Sequence, residues 1–163
     1  MKTKRLALMA MAIALAMILS YVESQIPPLM AIPGIKMGLP NILVVFVLYK
    51  LGWKDALVIS LVRVFLVSVL FGSVLSLAYS AAGAVISFLG MFFMKKSNLF
   101  STVAVSVVGG VLHNAAQIGV ACLVMDTNLI TYYLPFLMLS GTVAGILIGL
   151  ASALMVNRVK IEL

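Results

Sequence analysis

Six polar side chains stand where the surrounding sequence is almost wholly apolar. Lys36 and Asn41 lie at the head of one apolar run, Arg63 in the middle of the next, and His113, Asn114 and Gln117 inside a later one. Ionisable groups at membrane depth are costly, so those that occur usually face a bundle interior and mark a binding site or pathway. A lysine and an arginine offer donors to an anionic group. The amides and the imidazole can donate or accept as a ligand requires. His113 and Gln117 are one helical turn apart and Asn114 is three residues from Gln117, so all three can share one side of a helix. Gly109 and Gly110, one turn earlier, leave room for a neighbour or a ligand. Structural roles are open beside these. Lys36 can pair with Glu23, Arg63 can bind helix carbonyls or the amide cluster, and the His113 cluster can hydrogen-bond across helices, at about 1 kcal/mol per bond.

The rest of the composition requires a membrane. The chain is 64% hydrophobic and 9% charged over 163 residues, which a soluble domain of this length could not bury. The formal charge of +7 comes from short basic groups between apolar runs. That pattern suits loops against anionic lipid and does not suggest nucleic acid. One cysteine, Cys122, excludes an internal disulfide and a multi-cysteine metal site. There is no phosphate-binding G-x-x-x-x-G-K-[ST] loop, so the chain is not itself an ATPase. Asp55 and Asp126 lie far apart, which leaves no aspartate pair for a metal–diphosphate complex. No nucleophile–base–acid set stands out. A non-enzyme without cofactor or metal is expected.

These side chains are positioned by apolar runs at about 5–22, 38–51, 54–71, 74–94, 100–124 and 130–156. The fold class expected is an all-α integral membrane protein, one domain over 1–163 with six transmembrane helices. The second run is too short to cross easily alone, since about 20 residues span a bilayer core. Nine basic residues (Lys2, Lys4, Arg5, Lys50, Lys54, Lys95, Lys96, Arg158 and Lys160) fall on one side of a six-span arrangement. The positive-inside rule then puts both termini in the cytoplasm of a plasma-membrane protein. A cleaved signal peptide is the weaker reading of the N-terminus, because the apolar run continues to Val22 without a polar region. The proline- and glycine-rich segment 24–40 is expected to be an extracytoplasmic lid loop carrying Lys36, with Pro40 in the first turn of the next helix.

Two runs carry small residues at helical spacing. Ala10 and Ala14 are one turn apart, as are Ala12 and Ala16; Gly141, Gly145 and Gly149 line one face of the last run. Such faces let helix backbones approach closely. Internal packing is the expectation for the glycines, and a partner-docking surface for Ala10 and Ala14.

The blocks PGIKMGLPN (33–41), Arg63, FGS (71–73) and GGVLHNAAQ (109–117) resemble those of the heptaprenyl diphosphate synthase component I family, also called the Gx transporter family. Pro40 departs from the small residue expected there. The family is similar to the substrate-capture (S) subunits of energy-coupling factor (ECF) transporters. That resemblance implies six helices, and capture of a small, partly apolar molecule of vitamin, flavin, quinone or isoprenoid type, which the basic residues suggest is anionic. It also implies docking through the alanine-rich first helix onto a transmembrane coupling protein with cytoplasmic ATPase subunits. The alternative is a non-catalytic membrane accessory to prenyl diphosphate or quinone synthesis or to extracellular electron transfer.

Overall fold

The computed structural model describes residues 2–25, 38–72 and 74–160. Among them the chain is all-helical: α1 (Lys2–Gln25), α2 (Asn41–Lys50), α3 (Trp53–Phe71), α4 (Val74–Ser97), α5 (Thr102–Met125) and α6 (Leu134–Arg158), with a 3₁₀ turn at Leu129–Tyr133 before α6. Each expected apolar run is a helix, with ends displaced by a few residues.

Local chemistry explains the breaks. Gly52 takes φ +115° between α2 and α3, a conformation that a side chain would resist. Ser101 caps α5, its hydroxyl accepting the Ala104 N–H at 3.2 Å. Asp126, in the left-handed region, ends that helix. Pro40 is the residue immediately before α2, one position earlier than a first-turn proline, and is fully buried.

Among the described residues, four helices are long and apolar enough to cross a membrane: Thr3–Gln25, Val74–Ser97, Thr102–Met125 and the stretch Leu129–Arg158. Their exposed apolar side chains fit a membrane protein. Leu6, Met11, Leu15 and Ile18 on α1, and Leu139, Leu147, Leu150 and Leu154 on α6, would form a large unsatisfied patch in water. The 19 residues of α3 include Lys54, Asp55 and Arg63. The ten residues of α2 extend only about 15 Å.

The core surrounds α2. Its residues Leu43 to Leu48 are all buried, packed with Ala12, Ala56, Ile59, Phe88, Met91 and Val105. Lys95 of α4 donates to the Leu48 carbonyl and lies over the Tyr49 ring, 5.0 Å from its centroid, so it holds the C-terminal end of α2. At that same end Arg5 of α1 pairs with Asp55 of α3 at 2.7 Å. Asp55 is therefore a buried tie between helices. The other end of α2 lies inside the bundle: Gly38 is beside Ile148 of α6, ten residues short of Arg158. Ser152 of α6 donates to the Ile42 carbonyl at 3.2 Å.

At the α5–α6 seam, backbone meets backbone. A Cβ on Gly110 would lie 2.5 Å from the Gly141 carbonyl oxygen, and one on Gly145 would lie 2.6 Å from Val107 Cα. Gly141, Gly145 and Gly149 are thus internal packing.

Candidate functional site: a polar cavity between the helices

Residues of α1, α3, α4 and α5, with the start of α2, line a cavity of about 110 Å³ at the end of the bundle away from Arg5 and Lys95. Its wall includes Ser20, Glu23, Gly38, Asn41, Arg63, Ser68, Ser76, Ser80, His113 and Gln117. The apolar part comes from Val64, Val67 and Phe71.

Arg63 is the central cation. It is ten residues in from Trp53, about 15 Å along α3. One terminal nitrogen reaches Asn41 Oδ1 at 3.5 Å, the outer limit of a hydrogen bond. Its Nε is buried and, among the described residues, has no hydrogen-bond partner. Such a buried donor costs about 1–3 kcal/mol unless something accepts from it.

Asn41 opens α2 beside the turn Gly38–Pro40. Gly38 has φ +74°, which favours glycine, and a Cβ there would meet Asn41 Nδ2 at 3.3 Å. The first amides of α2 are already used: Asn41 N–H donates to Gly38 O at 2.8 Å, and Ile42 and Leu43 donate to Leu39 O and Pro40 O at 3.1 and 3.2 Å. The Gly38 N–H donates to the Glu23 carboxylate of α1. The same carboxylate acts electrostatically on Arg63.

His113 reaches the cavity across α4, where its ring takes the space of a missing side chain. A Cβ on Gly83 would lie 2.7 Å from His113 Cε1. Gln117, one turn on, lines the same wall.

The structure therefore brings together four of the six polar residues singled out from the sequence: Asn41, Arg63, His113 and Gln117. Asn114 is not among the lining residues. It is buried, and its Nδ2 donates to Leu137 O of α6 at 2.6 Å, joining the two helices. Lys36 lies outside the described residues, as does most of the 24–40 lid segment. Ala10 and Ala14 lie on the exposed side of α1, while Ala12 and Ala16 are buried against the bundle.

Glu23 is the main cavity-lining residue absent from the six singled out in the sequence. The sequence pairs it with Lys36, whereas the structure places it in the same cavity wall as Arg63. A second-rank signal existed: Ser20, Glu23 and Ser24 share one side of α1 at helical spacing. Among the described residues no group of three histidine, cysteine, aspartate or glutamate side chains could hold a metal ion.

The fold and the cavity define a class: an all-helical protein fit for a membrane, with a cavity between helices lined by charged and polar side chains. Within it, the chain belongs to the heptaprenyl diphosphate synthase component I family, whose family model matches residues 12–155. Comparisons with curated proteins and with solved structures give no match. The family's description as a component implies a partner subunit.

Proposed function

We propose that this chain is the ligand-capturing membrane subunit of an ECF-like transport complex. In this reading it crosses the plasma membrane six times, keeps both termini in the cytoplasm, and performs no catalysis itself. The observation that carries it is the buried Nε of Arg63, which has no acceptor among the described residues and sits in a cavity wall with Asn41, His113 and Gln117. A ligand with an acceptor atom would satisfy it. An anchoring subunit has no use for such a group, and burying it unsatisfied weakens the fold.

Other features support the arrangement. The ends of the helices near Arg5, Asp55 and Lys95 meet on one side, as a cytoplasmic face rich in Lys and Arg requires. The cavity is at the opposite end, towards the outside. α3, at about 28 Å, approaches the thickness of the hydrocarbon core despite its charges. The short α2 starts within the bundle, the kind of broken helix that borders midplane sites in transporters. Ala10 and Ala14, exposed on α1, suit close contact with a transmembrane coupling protein, which cytoplasmic ATPases would drive.

A second reading is favoured by the family description alone: a membrane accessory for prenyl diphosphate synthesis, holding a partner enzyme. One experiment separates the two. The chain is purified from its native membrane in lipid nanodiscs, and extracted small molecules are identified by mass spectrometry for the unaltered chain and for Arg63→Gln. Capture predicts one molecule near stoichiometry, lost in Arg63→Gln while co-purifying partners remain. Partners without any such molecule, or equal retention in Arg63→Gln, would decide for the accessory reading.

A further inference from the structure

We infer that Glu23 is a built-in anion which makes this cavity select an uncharged ligand with an amide-type edge. The inference rests on the cavity being the ligand site, and it replaces the anionic ligand that Arg63 alone would suggest.

Two groups in the wall would attract an anion, and Glu23 serves both. The first is the turn at the start of α2, where helix termini commonly bind anions through free amides. Here the Asn41, Ile42 and Leu43 amides are spent within the turn, and the Gly38 N–H donates to Glu23. The second is Arg63, whose charge feels the same carboxylate. Among the described residues, Glu23 and Arg63 line one cavity and their formal charges cancel. An incoming carboxylate would meet the Glu23 charge between packed helices, where like charges repel more strongly than in water.

Arg63 Nε still requires an acceptor, because a nearby carboxylate neutralises charge without accepting from that buried atom. A carboxamide, lactam or ureide edge meets both demands. Its carbonyl oxygen accepts from Arg63, and its N–H donates to the Glu23 carboxylate. Asn41 and Gln117 can match either polarity, having a donor and an acceptor each. The volume near 110 Å³ suits a small polar head, with Val64, Val67 and Phe71 against an apolar remainder.

The test uses propionamide and propionate, which have nearly the same shape and differ in charge. Binding to the full chain in nanodiscs is measured by saturation-transfer NMR. The unaltered chain should hold propionamide at least about ten-fold more tightly, a difference of about 1.4 kcal/mol. Glu23→Gln keeps the shape and removes the charge, so the preference should disappear or reverse. Glu23→Asp keeps the charge and should keep the preference; it also serves should the glutamine variant fail to fold. Equal or tighter binding of propionate by the unaltered chain overturns the inference, as does an unchanged preference in Glu23→Gln. Either result leaves the cavity as a ligand site. Absence of binding by both probes removes the cavity reading and this inference together.

Discussion

The α5–α6 seam and the attachment of α1 are both lined by small residues, yet they are built on different terms. At α5–α6 the glycines bring backbone against backbone, and Asn114 adds a hydrogen bond to Leu137 O across the contact. Nothing larger than hydrogen fits. At α1 the buried small side chains include Ala12 and Ala16, and the polar ties sit near the two ends: Arg5 with Asp55, and Glu23 with Gly38. Between them the outer face, with Ala10 and Ala14, is open. A small-residue stripe thus does not distinguish a permanent seam from a helix that can meet something else. The space at Cβ and the position of polar ties do.

The largest effect is expected where the backbones touch. Gly145→Ala places a Cβ 2.6 Å from Val107 Cα, so the helices must separate. A loss of about 1–3 kcal/mol is expected, the usual range for overpacking. The same change at Gly119, where nothing lies within 4 Å, should be neutral or stabilising by up to about 1 kcal/mol through helix propensity. Thermal unfolding in one detergent compares the two. Similar destabilisation at both sites would mean that the seam is looser than described.

The polar tie of α1 comes next. Asp55→Asn leaves Arg5 without its ionic partner, at a site where the aspartate side chain is 10% exposed and the arginine 49%. Because the arginine is half in solvent, the expected loss is modest, about 1 kcal/mol. Limited proteolysis near the N-terminus should accelerate more than at α5–α6. Uniform acceleration would show that α1 is an integral part of one cooperative unit.

The smallest effect on the isolated chain is expected at the outer face. Ala14→Leu should change its stability by less than about 0.5 kcal/mol, because the residue is exposed. Co-purification with partner proteins should nevertheless fall, since a bulky side chain forfeits close helix approach. Ala16→Leu, fully buried, should lower stability instead. Unchanged co-purification in Ala14→Leu would return this face to lipid.

The sequence made the helices legible because each apolar run is long, and the punctuation is strong at Gly52, Ser101 and Asp126. It made Arg63, His113 and Gln117 legible because polarity is so rare in those runs. Asn114 illustrates the limit. At about 100° per residue, Gln117 is about 40° from His113 around the helix, whereas Asn114 is about 100° away. Spacing rules that admit both three and four residues blur that difference, and Asn114 faces α6. Glu23 was obscured for another reason. Its place beside Arg63 depends on how α1 packs against α3, which no count along a single helix reveals. The two alanine pairs on α1 were equivalent by spacing; only the rotation of the packed helix separates Ala12 and Ala16 from Ala10 and Ala14.

The shortness of α2 also bears on how the chain is made. Its ten residues reach about half the depth of a bilayer core, too few to be stably inserted on their own. Leu43 to Leu48 become buried only when α1, α3 and the later helices surround them, and the carbonyl end waits for Lys95, 47 residues downstream of Leu48. As the ribosome releases this segment, α2 has only α1 as a protein neighbour. It can therefore complete its packing only after α3, α4 and α5 have been synthesised. The order of synthesis thus makes the helix at the centre of the finished bundle one of the last to become settled.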